Sequence, residues 1–510
     1  MNIKRCCAFL MAAVMGLSLT ACGGGNGVHE ETESGAVELK IGVNGAPEFD
    51  PEPEPESLPT YAALFGGDTS DAQSPDTPDA GTSDAPISGE IVKAVYPEAV
   101  PYPREEAYYR DGVGFDSEAY FAAYEKWSDA DRARPDLTPE ELAPLSAFFR
   151  DGTREFLKGD ANRAYSPVNV YMALAMLSGL TAGNSQKQIL SLLGAESPDA
   201  LASQANRVWN ALYNDDGTST TLLGSSLWLN ENVHFNAETL KKLSETFYAS
   251  SYAGKMGSAE FDNALQTWLN QQTRGLLSEQ AGGVKMSENT LLALATTIYF
   301  KSNWRDEFNA SRTAPDVFHA VDGDRNAPFM RQTFTGTYYK GDGFSAVRKA
   351  MQSGEMWLIL PDTGKTPADL LGGGAAMDFI ANPENYVNIG RADIVLSLPK
   401  FDVSADFSLI DGLMSLGVTD VFDSGVSDFT PMTTDTEEIA IGQAKHAARV
   451  KIDEEGCEAA AFTVMMAGAT AAMEAPPRVE FTLDRPFAFA VTGQENLPLF
   501  VGAVQTPLNA

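Results

Sequence analysis

Hydrolytic and metal chemistry need nucleophiles, imidazoles or thiols in patterned groups, and this chain holds few of them. Its 510 residues include four histidines, His29, His234, His319 and His446, and four cysteines, Cys6, Cys7, Cys22 and Cys457. Three of the cysteines crowd the N-terminus, so the body keeps one thiol and no disulfide framework can staple it. There is no Gly-x-Ser-x-Gly elbow and no His-Glu-x-x-His pair, so neither a familiar triad nor a zinc site assembles from recognisable pieces. Paired carboxylates among the 70 acidic residues are the one route to an enzyme left open.

The most unusual stretch is 456–472, GCEAAAFTVMMAGATAA, which has no proline, no base and one acid. As a helix it lacks a polar face, and as an exposed loop it is oddly apolar. A segment that is mobile in one state and a central strand in another needs side chains that tolerate both settings, and small ones do. In a pleat, Cys457, Ala459, Ala461 and Thr463 share one side, and Glu458, Ala460 and Phe462 the other. That places Cys457 on the buried face and Glu458 toward solvent. Taken without its flanks, the same run reads equally as a small-residue linker or an aggregation-prone strand.

Something must position that run, and the composition is ample for it: 44% of residues are hydrophobic and 10% aromatic. The formal net charge of -34 repels phosphate backbones and anionic lipid headgroups, which excludes nucleic-acid recognition by a basic patch and points to a protein or neutral partner. No clustered Lys and Arg suggest a heparin-like cofactor site, and no cofactor is expected.

Lys4 and Arg5 precede an apolar run from Cys6 to Leu19, shorter than the roughly 20 residues a spanning helix needs, so residues 1–21 read as a signal peptide. Leu19-Thr20-Ala21-Cys22 resembles the lipobox of bacterial lipoproteins, which implies lipidation at Cys22 and a place on the extracytoplasmic face of a bacterial envelope. An ordinary cleaved signal would instead release a secreted protein. Residues 22–89 are acidic and rich in Gly, Pro and Ser, with PEPEPE at 51–56, and read as a disordered tether reaching at least ~45 Å. Val37 to Val43 alternates like a strand, although solvated linker is the preferred reading.

Aromatics return in AVYPEAVPYP at 94–103 and SEAYFAAYEKW at 117–127, so residues 90–137 are expected to pack on the main domain. Thr138-Pro139-Glu140-Glu141 supplies an N-cap, a first-turn proline and a capping box, which starts the domain's first helix, expected to reach about Lys158. The main domain then spans 138–510.

Within it stand SPVNVYMALAMLSGLTAGNSQKQIL at 166–190, TTIYFKSNWRDEF at 296–308, LPKFDVSADFSLIDGLMSLGVTDVF at 398–422, KIDEEGCEAAAFTV at 451–464, and PPRVEFTLDRPFAFAV at 476–491 with LPLFVGAVQTP at 497–507. In order and spacing these blocks resemble the serpin family. The resemblance implies an α+β fold with three β-sheets, about nine helices and an exposed reactive-centre loop. It also implies a metastable suicide substrate for a serine-type endopeptidase, trapped as an acyl-enzyme when the cleaved loop inserts in the large sheet, rather than an enzyme.

Carried over position by position, Glu454, Glu455, Gly456, Cys457, Glu458, Ala459, Ala460 and Ala461 form the hinge. Trp304 and Lys400 join Glu454 at the top of the large sheet. His446 and Ser166 match the residues beneath its central opening, while Asn169 and Thr296 stand where serine and asparagine are usual. The scissile bond falls at Thr470-Ala471 counted from Gly456, or at Met473-Glu474 counted back from Pro476, with the first preferred. Neither carries a basic side chain, which favours elastase-like targets over trypsin-like ones. The inhibitor is expected to act as a monomer, touching membrane through its lipid alone. A non-inhibitory serpin serving as a binding module is the alternative; the small residues after Glu458 argue against it.

Overall fold

The computed structural model describes residues 87–110, 114–436, 438–457 and 476–508. The signal peptide, Cys22, the tether through residue 86 and the Val37 to Val43 segment lie outside the described residues, as do Glu458, Ala459, Ala460, Ala461, Thr470, Ala471, Met473 and Glu474.

Eight strands build the large sheet: β1 (Glu90–Val92), β2 (Asn214–Asp215), β3 (Ser219–Asn230), β4 (Ala249–Gly254), β5 (Leu292–Asn303), β6 (Phe401–Ser408), β7 (Lys445–Ile452) and β8 (Gly456–Cys457). Their order is β1-β4-β3-β5-β8-β7-β6, with β2 paired to β3. β3 is buried along nearly its whole length because both faces of the sheet are covered. On one face the Ala259–Gln272 helix packs Phe261, Leu265 and Trp268 against Trp228 and Tyr252. The other face meets the main core.

A second, nine-stranded sheet is organised by the 19-residue strand Gly323–Gly341, which pairs in turn with Ala314–Ala320, Val387–Pro399 and Phe344–Ala350. Its strands Phe487–Thr492 and Pro498–Val504 are buried throughout and pair as a hairpin. The third sheet is a short hairpin, Tyr109–Arg110 against Gly114–Phe115. The fold is thus α+β with three sheets, but the described residues hold eleven α-helices rather than about nine. Four of them span only five to seven residues, too short for hydrophobic periodicity to register.

Helix α1 is Ser117–Ala133, α2 is Pro139–Phe156 and α3 is Pro167–Ser178. The capping box of α2 is present, with Glu141 N–H donating to Thr138 Oγ1 at 3.3 Å and Thr138 N–H to Glu141 Oε2 at 2.9 Å. The helix ends at Phe156, two residues before the expected limit. α3 is apolar almost all round and accordingly buried, with Ser166 as its N-cap.

The 90–137 extension touches the domain at discrete points. Contacts begin slightly before residue 90, where the Gly89 carbonyl accepts from Ala253 N–H at 2.7 Å, and β1 then adds to the edge strand β4. Tyr96 inserts its ring among Trp209, Tyr213 and Tyr248. Further on, Tyr102 N–H and the Trp127 indole both donate to Asp216, at 2.8 and 3.2 Å, while α1 has no fully buried residue. Tyr96→Ala is expected to cost about 1–3 kcal/mol in denaturant unfolding, as truncating a packed aromatic does. A change within about 0.5 kcal/mol would mean that this contact does not hold the extension.

Candidate functional site

β7 ends at Ile452, the chain turns through Asp453, Glu454 and Glu455, and β8 returns between β5 and β7. The turn is tied by Asp453 Oδ1, which accepts from Glu455 N–H at 3.0 Å and Gly456 N–H at 3.3 Å. Cys457 then lies opposite Ile452 on β7 and Ser302 on β5, and Gly456 opposite Asn303. A Cβ on Gly456 would meet the Ser302 carbonyl oxygen at 2.5 Å and Asn303 Cα at 2.6 Å, both backbone atoms, so only glycine fits this pivot. Cys457 is buried.

The hinge rests on the turn that follows β5. Trp304 N–H donates to the Glu455 carbonyl and Phe308 N–H to the Glu454 carbonyl, each at 2.9 Å. The fully buried Trp304 indole donates to the Asp453 carbonyl, also at 2.9 Å. Lys400, just before β6, and Glu454, just after its neighbour β7, form a largely shielded ion pair. Burial by itself would raise the Glu454 pKa, but the hydrogen bond from Lys400 is among the contacts that together outweigh it and hold the carboxyl below its usual value. Glu455 moves the other way, raised by burial and then by the charges of Asp453 and Glu307.

Below this end, the first turn of α3 holds both lips of the opening. Ser166 N–H donates to His446 Nε2 on β7 at 3.1 Å, while Asn169 Nδ2 donates to the Thr296 carbonyl on β5 at 3.4 Å. Ser166 Oγ in turn accepts from Asn169 N–H at 3.3 Å. Because Nε2 accepts, the ring proton is assigned to Nδ1. Burial keeps His446 neutral and pushes its pKa down to about 3. Asn169 thus reaches Thr296 through its backbone carbonyl and not through its hydroxyl. β5 is only half-buried from Leu292 to Thr296.

Trp304, Lys400, Glu454, Glu455, Gly456 and Cys457 therefore meet at one end of the opening, and His446, Ser166, Asn169 and Thr296 beneath its middle. The sequence reading missed Asp453, Lys349 and Gln332, which fix the hinge turn and the turn under it. For Asp453 a local signal exists, an aspartate two residues before a backbone N–H it can accept. Lys349 and Gln332 reach the site from the other sheet and carry no local signal.

The family model described as Serpin (serine protease inhibitor) matches residues 149–507. The chain belongs to the serpin family. It is 27% identical to Serpin-ZX of Arabidopsis thaliana over 376 residues, covering 69% of this chain and 93% of that one. It is 27% identical over 370 residues to an uncharacterised serpin-like protein of Thermococcus kodakarensis, covering 71% and 85%. Among solved structures, the thermophilic serpin tengpin in its native state aligns with TM-score 0.65 at 21% identity, over 74% of this serpin and 98% of tengpin. Thyroxine-binding globulin in complex with thyroxine aligns with TM-score 0.63 at 20% identity, over 72% and 100%.

Two outcomes follow from this geometry. An unfolded His446 titrates near 6.5 and the folded one near 3, so the unfolded chain takes up the proton first as pH falls. Its contribution to stability is complete above about 6.5 and is lost progressively toward 3. Melting followed at pH 7.5 and 4.5 should show a smaller acid-induced drop for His446→Gln than for wild type; equal drops would refute a neutral buried imidazole. Gly456→Ala should destabilise the uncleaved protein by about 1–3 kcal/mol through the backbone clash, and wild-type stability would contradict the tight pivot.

Proposed function

We propose that this serpin is an inhibitory suicide substrate. A target serine protease attacks the loop, at Thr470-Ala471 or, if the distal flank sets the count, at Met473-Glu474, and forms an acyl-enzyme. The freed N-terminal limb then inserts between β5 and β7, carrying the enzyme with it. The observation that supports this is the sheet order: β8 parts β5 from β7, and among the described residues no ladder pair joins those two strands directly.

Continuing the two registers from Cys457, each further limb residue meets the next earlier residue on β5 and on β7. On insertion Thr463 would fall between Thr296 and His446, a small polar side chain beside a neutral imidazole, and Ala467 opposite Leu292, where β5 begins. A limb of about 14 residues spans roughly 45 Å, enough to drag the attached enzyme along the sheet. Displacing catalytic groups by even about 1 Å slows deacylation by orders of magnitude.

The absence of a basic residue at either candidate bond favours elastase-like enzymes with small or medium apolar pockets. The lipobox-like segment supports a monomeric inhibitor tethered through Cys22 to the outer face of a bacterial envelope. Incubation with pancreatic elastase followed by denaturing electrophoresis should give a covalent band of summed mass. Clean turnover of the loop without that band would overturn trapping and favour a serpin that binds without inhibiting.

A further inference from the structure

Lys349, on the strand Phe344–Ala350, is 3% exposed and lies directly behind the turn that receives the hinge. Its ammonium donates to the Asp306 carbonyl at 2.7 Å and to Gln332 Oε1. It sits over the rings of Phe308 at 4.6 Å and of Trp304 and Phe334 at 5.4 Å each. Gln332 completes the clamp, its Nε2 donating to the Glu307 carbonyl at 3.0 Å and more loosely to the Asp306 carbonyl at 3.3 Å.

The turn is therefore gripped on two sides with opposite polarity. Its carbonyls at 306 and 307 are held by Lys349 and Gln332 from the second sheet, and its N–H groups at 304 and 308 hold the hinge carbonyls. A buried cation is costly, and an apolar residue of similar length often packs as well or better. Burial lowers the Lys349 pKa to about 8, which still leaves it mostly charged at pH 7. Its cost is offset by two acceptors and three aromatic faces, and each of these except Phe334 and Gln332 belongs to the docking turn itself.

We propose that Lys349, with Gln332, is a positioning residue for loop insertion: it fixes the 304–308 turn, and through it the pivot from which the limb registers on β5. The proposal rests on the inhibitory reading above. Once the acyl-enzyme has formed, insertion races hydrolysis, and a loosened pivot slows insertion alone. Among the described residues Lys349 holds the 304–308 turn, Gln332 and Phe334, so its loss is expected to leave acylation unchanged.

The test uses the full chain with pancreatic elastase, measuring the rate of loop attack and the ratio of hydrolysed inhibitor to covalent complex. Lys349→Met and Gln332→Leu should each leave the attack rate at the wild-type value and raise the ratio about tenfold, as loss of one charge-assisted hydrogen bond on the insertion path implies. The double variant should add little to the larger single effect, since both cut one clamp. Wild-type ratios in both variants, or a ratio that changes only together with the attack rate, would overturn the assignment. Gln332 is only half-buried, so its variant carries the test if Lys349→Met fails to fold. Absence of complex from the wild type itself would overturn the inhibitory reading and this role with it, whereas wild-type complex with unchanged variants would remove the role alone.

Discussion

Two neighbouring strands, β5 and β7, that share no ladder pair among the described residues are the constraint on which the proposed mechanism depends. Backbone N–H and C=O groups along a strand edge are strong, obligatory hydrogen-bonding groups. Between β5 and β7 the described ladder pairs run through Gly456 and Cys457. Each ladder bond that could form along such edges is worth only about 1 kcal/mol net, yet a dozen or so together are comparable to the whole margin by which ordinary domains are stable. On the proposed mechanism, a sheet built in this way holds tension that a strand of the right length and side-chain size relieves.

On the same mechanism, the surrounding elements set where the limb would enter. The hinge can enter at one end because Gly456 alone fits against the β5 backbone and because Asp453 ties the reversal that precedes it. Midway along, the first turn of α3 reaches one lip through His446 and the other through Thr296, so a helix buried for its own hydrophobic reasons also spans the opening. That bridge is uncharged, since burial keeps the imidazole neutral, and it therefore adds no Coulomb attraction that an incoming strand would have to break.

Much of this was legible in the sequence. The capping box at Thr138 follows from a local rule, because caps act over a few residues. The family blocks supplied the partners of Glu454 and His446, which no local rule gives. The grip of Lys349 and Gln332 escaped because it joins strands of one sheet to a turn of the other, a long-range contact between residue types usually found at the surface. Thr296 met its partner through the backbone, where side-chain identity carries no information.

The most direct measurement of stored tension is the melting temperature before and after the loop is cut by a protease that is not trapped. Cleavage within the loop is expected to raise the melting temperature steeply, because the freed limb would pair with both β5 and β7. An unchanged or lowered melting temperature in the cleaved protein would contradict it.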